Sequence, residues 1–238
     1  MSKRLEDFKK EFQHSIAESM KFCNAARARE FQVEAMQRLE ELKTRASALK
    51  ADIVAAKDEN SANLLLSVEN MLRAVISELK MWVAFKDDDP SAAWTDLVGA
   101  QSAASTAMQV HKIAANLDAY IDRLHALEHL LFPPQLFFSS AIIIKRSTCS
   151  ICGHEYGDCD HVKGKAYMGQ MCKRIINESV LSEISVVPNP ANKHCRTISV
   201  NDGKVTRDFM TWRLIDEQVT KNSDVDNFKK VLISNTNE

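Results

Sequence analysis

Residues 131–153 read LFPPQLFFSSAIIIKRSTCSICG, and the fold turns on this stretch. Proline has no amide N–H and restricts the residue before it, so Pro133-Pro134 ends any helix arriving from the N-terminal side. AIIIK, residues 141–145, is β-branched and reads as a strand. A cysteine pair follows at once. Before the prolines, apolar residues recur every three or four positions; after them they come in short runs. The boundary predicts an α+β protein. Residues 1–134 are expected to form a bundle of long, coiled-coil-like helices, and 135–238 a small, β-rich domain that carries the cysteine pair.

N-terminal to the boundary, Leu5, Phe8, Phe12, Ile16, Met20 and Cys23 make an apolar stripe. After a charged, Ala-rich bridge it resumes at Leu39, Leu42, Ala46, Leu49 and Ile53, close to heptad spacing, as in one long amphipathic helix. KDENSAN (57–63) predicts a turn. A second helix from about Leu64 carries Val68, Leu72, Val75, Leu79 and Trp82 on one face. A third begins with Asp89 as cap and Pro90 in the first position and runs through Trp94, Leu97, Met108 and Leu117 to Leu131. Its AQSAASTAM segment permits close helix approach. Cys23 reads as core packing.

C-terminal to the boundary, a short helix is expected around GQMCKRII. Strands are expected at EISVV (183–187) and CRTISV, with Asn201-Asp202-Gly203 turning into KVT. The segments FMTWRLIDEQV and DNFKKVLI are expected as a strand and a terminal helix.

The chemistry concentrates in CSICGHEYGDCDH (149–161), which holds three of the six cysteines and two of the seven histidines. The spacing is Cys149-x2-Cys152-x6-Cys159-x-His161. Zinc takes four thiolate or imidazole ligands in a tetrahedron, and a C-x2-C turn presents two sulfurs to one ion. Gly153 and Gly157 suit the reversals this needs. Three thiolates and one imidazole close the shell, which argues for a structural ion. Cys172 is the alternate fourth ligand, in place of His161.

Between residues 145 and 174, Lys145, Arg146, Lys163, Lys165, Lys173 and Arg174 outnumber Glu155, Asp158 and Asp160. With Tyr156 and Tyr167 interleaved, Lys163, Lys165, Lys173 and Arg174 are candidate contacts to nucleic acid. The formal charge of the whole chain is −1, so no global field supports such binding. Gly and Pro are scarce, at 6 and 5, and 45% of residues are hydrophobic, which favours a helical chain with its own core. No apolar run reaches membrane-spanning length, and the charged N-terminus MSKRLEDFKKEF has no apolar signal core; a cytoplasmic protein without a membrane partner is expected.

Glu183, Ile184, Ser185, Val187, Pro190 and Ala191 fit the pattern E-[IV]-S-x-V-x-x-P-A. This resembles the closing strand of the phage prohead (capsid maturation) proteases. The resemblance covers roughly residues 136–200 and implies a serine peptidase on a small β-fold. Glu183 would be the acid that orients a histidine, and Ser139 or Ser140 would align with the nucleophile strand. It also implies a phage or phage-defence setting. Separately, Arg123-x5-His129 resembles the R-x4-6-H signature of the all-helical HEPN ribonucleases.

These readings give one leading expectation: a zinc-binding, non-enzymatic interaction or accessory protein that self-associates, or binds a helical partner, through its helices. The alternatives are a serine peptidase using Ser140 and Glu183, and a nucleic-acid-binding accessory factor.

Overall fold

Fifteen of the 28 residues of helix α3 (Glu59–Lys86) are buried, so this helix is apolar around most of its circumference and must be enclosed by neighbours. The computed structural model, which describes residues 2–201 and 205–216, provides them. Helices α1 (Ser2–Met20) and α2 (Arg29–Ala55) precede α3. Helix α4 (Pro90–Val110), a short 3-10 turn (Lys112–Ala114) and α5 (Asp118–Leu131) follow it. The main packing is of α2 and α4 against α3.

The buried positions of α2 are Gln32, Ala35, Leu39, Leu42, Ala46, Leu49 and Ile53, alternating by three and four. The heptad-like stripe is therefore consumed within the chain, against α3. Each large aliphatic side chain enclosed there contributes about 1.5–3 kcal/mol relative to exposure. On α4 the small-residue segment does as its composition predicts: Ala100, Ala103, Ala104 and Ala107 are all buried. The Ser67 hydroxyl reaches across to donate to the Ala107 carbonyl at 2.8 Å. Asp58 and Asp89 cap α3 and α4, accepting from Ser61 N–H at 3.1 Å and Ala92 N–H at 2.9 Å.

Three helix boundaries differ from expectation. The first stripe belongs to two helices, separated at residues 21–28. Gln32, wholly buried, fixes the break. Its amide donates to the Phe22 and Asn24 carbonyls at 2.9 and 3.0 Å, while its oxygen accepts from Lys86 Nζ at 2.8 Å. Helix α3 starts at Glu59, earlier than Leu64, because Asp58 supplies the cap. The third helix is interrupted after Val110, where His111 is extended and its Nδ1 accepts from Ile113 N–H at 3.1 Å.

After Pro133-Pro134 come β1 (Phe137–Cys149), β2 (Ala166–Tyr167), β3 (Gln170–Met171), β4 (Arg174–Val187), β5 (Ser199–Asn201), β6 (Thr206–Asp208) and β7 (Leu214–Asp216). β1 pairs with β4, β2 with β3, and β5, β6 and β7 form a three-stranded sheet in that order. The expected strands 141–145 and 183–187 lie inside β1 and β4. GQMCKRII is turn and extended chain that includes β3 and the start of β4, not helix: Met168 and Gly169 both have positive φ (47° and 75°), a two-residue turn that joins β2 to β3 ahead of the β-branched Ile175-Ile176. β5 and β6 pair antiparallel, Asn201 opposite Thr206. The Asp202-Gly203 part of the expected turn, and DNFKKVLI, lie outside the described residues.

The mixture of helices and strands is α+β. By compactness the chain divides into Met1–Leu130 with Ile143–Val180, and Leu131–Ile142 with Leu181–Glu238. The Cys/His segment belongs to the first unit, with the helices. In the second unit, Phe132, Phe137 and Arg196 are buried, and Phe138 N–H and Thr197 N–H donate to the Cys195 and Leu136 carbonyls, both at 2.8 Å. Among the described residues, no helix is long and apolar enough to cross a membrane.

Candidate metal centre

Strand β1 ends in a tight reversal. Gly153 N–H donates to the Cys149 carbonyl and Cys149 N–H to the His154 carbonyl, both at 2.9 Å. Gly153 adopts φ 75°, a conformation that costs glycine little. Ile151 N–H points at Cys149 Sγ, 3.4 Å away. The turn thus turns backbone donors toward a sulfur and sets Cys152 beside Cys149. A Thr148–Glu155 bridge and the Tyr156 N–H bond to the Ser147 carbonyl at 2.9 Å then carry the chain back along β1.

The loop to His161 is pinned by Tyr156 and Tyr167, the two tyrosines interleaved with the basic residues. Tyr156 OH accepts from Lys163 N–H at 3.1 Å and Tyr167 OH from Val162 N–H at 2.9 Å. Tyr167 also meets the His161 ring edge-on, centroids 4.7 Å apart. The Arg174 guanidinium lies 5.2 Å from the Tyr156 ring centre and donates to Ser147 Oγ at 2.8 Å. Lys163, Lys165 and Lys173 remain exposed.

The ligand atoms of Cys149, Cys152, Cys159 and His161 lie within 4.8 Å of one another. Cys172, two residues before β4, joins them, its Sγ 3.8 Å from that of Cys149. Ser150 draws it in: Ser150 N–H donates to the Lys173 carbonyl at 3.0 Å, and Lys173 N–H to Ser150 Oγ at 2.7 Å. Cys149 and Cys172 are each 1% exposed. His161 Nδ1 is buried and has no hydrogen-bond partner. An orphaned ring nitrogen among buried sulfurs is the arrangement a bound cation satisfies, and these residues can hold a metal ion. The donor set is soft, as thiolate-preferring metals require.

The electrostatics agree. Burial disfavours the Cys149 thiolate, but the N–H groups of Cys152 and Ile151 and the thiols of Cys152 and Cys159 outweigh it and bring the group down to about 6. Its neighbours then resist ionising. Cys172 is pushed up to about 11, first by burial and then by Cys149. Cys159 is raised despite the favourable N–H of His161, through burial and the thiols of Cys152 and Cys149. Several thiolates coexist at this spacing only around a cation.

The hairpin that carries Tyr167 docks on the start of α3. Asn63 Oδ1 accepts from Gly169 N–H at 2.8 Å, and Glu59 Oε1 from Met168 N–H at 3.3 Å. A Cβ at Gly169 would meet Lys50 Cδ at 3.0 Å and the Ala62 carbonyl at 3.3 Å. Asn63, Glu59, Ser147 and Ser150 were not singled out in the sequence. Nothing in their local pattern distinguishes them from ordinary helix and strand polar residues.

The other candidates are not drawn to this centre. Ser140 and Glu183 are exposed on β1 and β4; Glu183 Oε1 accepts from Ser185 Oγ at 3.4 Å. Arg123 makes a two-pronged ion pair with the wholly buried Glu78 at 2.7 and 2.6 Å, while His129 is exposed. The Arg123–His129 spacing thus contains a counter-ion for a core carboxylate. Cys23 is buried near this pair, and burial raises its thiol. No family model, curated protein or solved structure matches the chain.

Proposed function

We propose that this is a zinc-binding, self-associating interaction protein, without catalytic activity of its own, in which zinc is structural. The observation that carries the reading is the five-donor cluster of Cys149, Cys152, Cys159, His161 and Cys172. Zinc–sulfur bonds of about 2.3 Å in a tetrahedron place two sulfurs about 3.8 Å apart, and the Cys149–Cys172 distance is 3.8 Å. Five donors exceed the four that zinc takes in a structural site, so no position is left for a reactive water. The ion ties the end of β1, the 152–161 loop and the start of β4 to one point.

Metal analysis of protein purified without chelator tests this. About one zinc per chain is expected, reduced to near zero by Cys149→Ser with Cys152→Ser. Protein free of zinc, or carrying another metal at full stoichiometry, would overturn it.

A further inference from the structure

Strand β4 is 14 residues long, and none of its residues is buried. Ile176, Val180, Leu181, Ile184 and Val186 are each between 37% and 59% exposed. Among the described residues its sheet has two strands, and a two-stranded ribbon is marginal in water without further strands or packing. The two outer edges differ. β1 is engaged near both ends, through the Phe137–Arg196 and Thr148–Glu155 bridges, and carries Lys145-Arg146. The edge of β4 has no pairing among the described residues. From Ile175 to Val187 it has no proline, glycine or lysine, the devices by which exposed edges are usually protected.

The sequence of β4 is close to self-complementary. In an antiparallel pairing of two copies about Val180, Ile176 faces Ile184 twice and Val180 faces itself. Glu178 faces Ser182 and Asn177 faces Glu183, so no like charges stand opposite. Moving the axis half a residue toward Leu181 sets Glu178 against Glu183. We infer that β4 of one chain pairs edge to edge with β4 of a second copy, antiparallel about Val180, giving a continuous β1-β4-β4-β1 sheet. The exposed aliphatic side chains then gain cross-strand neighbours, and the free backbone groups gain partners. The inference rests on the self-association in the reading above and places it on a strand, away from the helix stripe, which is buried within the chain.

Sedimentation of the full zinc-loaded chain tests it with charge variants at the axis. Wild type is expected to dimerise. Val180→Lys and Val180→Glu, each placing like charges opposite across the two-fold, are expected to weaken dimerisation by roughly tenfold or more. Their equimolar mixture is expected to restore it. Unchanged helical circular dichroism and zinc content show that the variants are folded. A monomeric wild type, as when the edge serves a strand of a different protein, would remove self-association altogether. A dimer insensitive to both variants would leave self-association standing and overturn its placement on β4. Loss without restoration in the mixture would overturn the register about Val180.

Discussion

In α3, fifteen of 28 residues are buried; between Cys149 and Cys172 only Cys149, Gly169 and Cys172 are. The first number describes a region ordered by excluding water from apolar surface, with Leu65, Leu72 and Leu79 at 0% exposure. The second describes a segment too poor in apolar burial to offset its own chain entropy. That segment is held by directed contacts: thiols converging on a point, backbone N–H groups turned to Cys149 and two tyrosine hydroxyls gripping the loop. One region rests mainly on the sum of many apolar contacts; the other depends on four or five specific donors.

Four perturbations separate the two modes, in descending size of effect. Chelation, or Cys149→Ser, should disorder the 149–172 segment and leave the helices intact, because metal binding supplies folding free energy on the order of 10 kcal/mol at structural zinc sites. The near-ultraviolet signal of Tyr156 and Tyr167 should collapse while helical circular dichroism persists. Loss of both together would merge the two regions into one.

Leu72→Ala should do the reverse, lowering bundle stability by about 2–5 kcal/mol in denaturant titration with zinc content unchanged. Arg123→Ala should cost about 3 kcal/mol, since it strands the Glu78 carboxylate in the core. Glu78→Leu combined with Arg123→Leu should recover most of that loss. If the double variant is as unstable as the single, the pair has a role beyond mutual neutralisation.

The smallest effect is pH-dependent. Burial pushes the Asp96 carboxyl up to about 6, with Lys80 opposing and Asp89 adding. The folded state therefore holds this proton more tightly than the unfolded chain does. Its contribution is full below about pH 4 and is lost as pH rises through about 6. Asp96→Asn should stabilise the bundle by about 1 kcal/mol at pH 8, the half-exposed setting reducing the effect, and change little at pH 4. A uniform shift at both pH values would sink this account.

Much of this division was legible in the sequence, for reasons that differ by element. The α2 stripe at Leu39, Leu42, Ala46, Leu49 and Ile53 fell on buried positions because a repeat of three and four residues has one geometric meaning. The caps Asp58 and Asp89 mark helix starts by local chemistry, although only Asp89 was read as one. The breaks at residues 21–28 and 111–117 lack proline and glycine. They are set by contacts distant in sequence or particular to one residue, such as Gln32 with Phe22 and Lys86, and the extended backbone of His111. GQMCKRII misled because Gln, Met, Lys and Arg suit a helix, while the deciding feature was a positive-φ turn at Met168-Gly169. The metal-ligand spacing named four of the five donors, and Cys172 was visible only as an alternate. Its approach depends on the Ser150–Lys173 exchange between strands, which no local pattern encodes.

The central claim is that the cluster is a closed zinc site that organises the segment between β1 and β4. X-ray absorption at the zinc edge, on protein as purified, tests it most directly. The account predicts four sulfur or nitrogen neighbours dominated by sulfur at about 2.3 Å, with no oxygen in the shell. A shell containing a water oxygen, or fewer than three sulfurs, would contradict it.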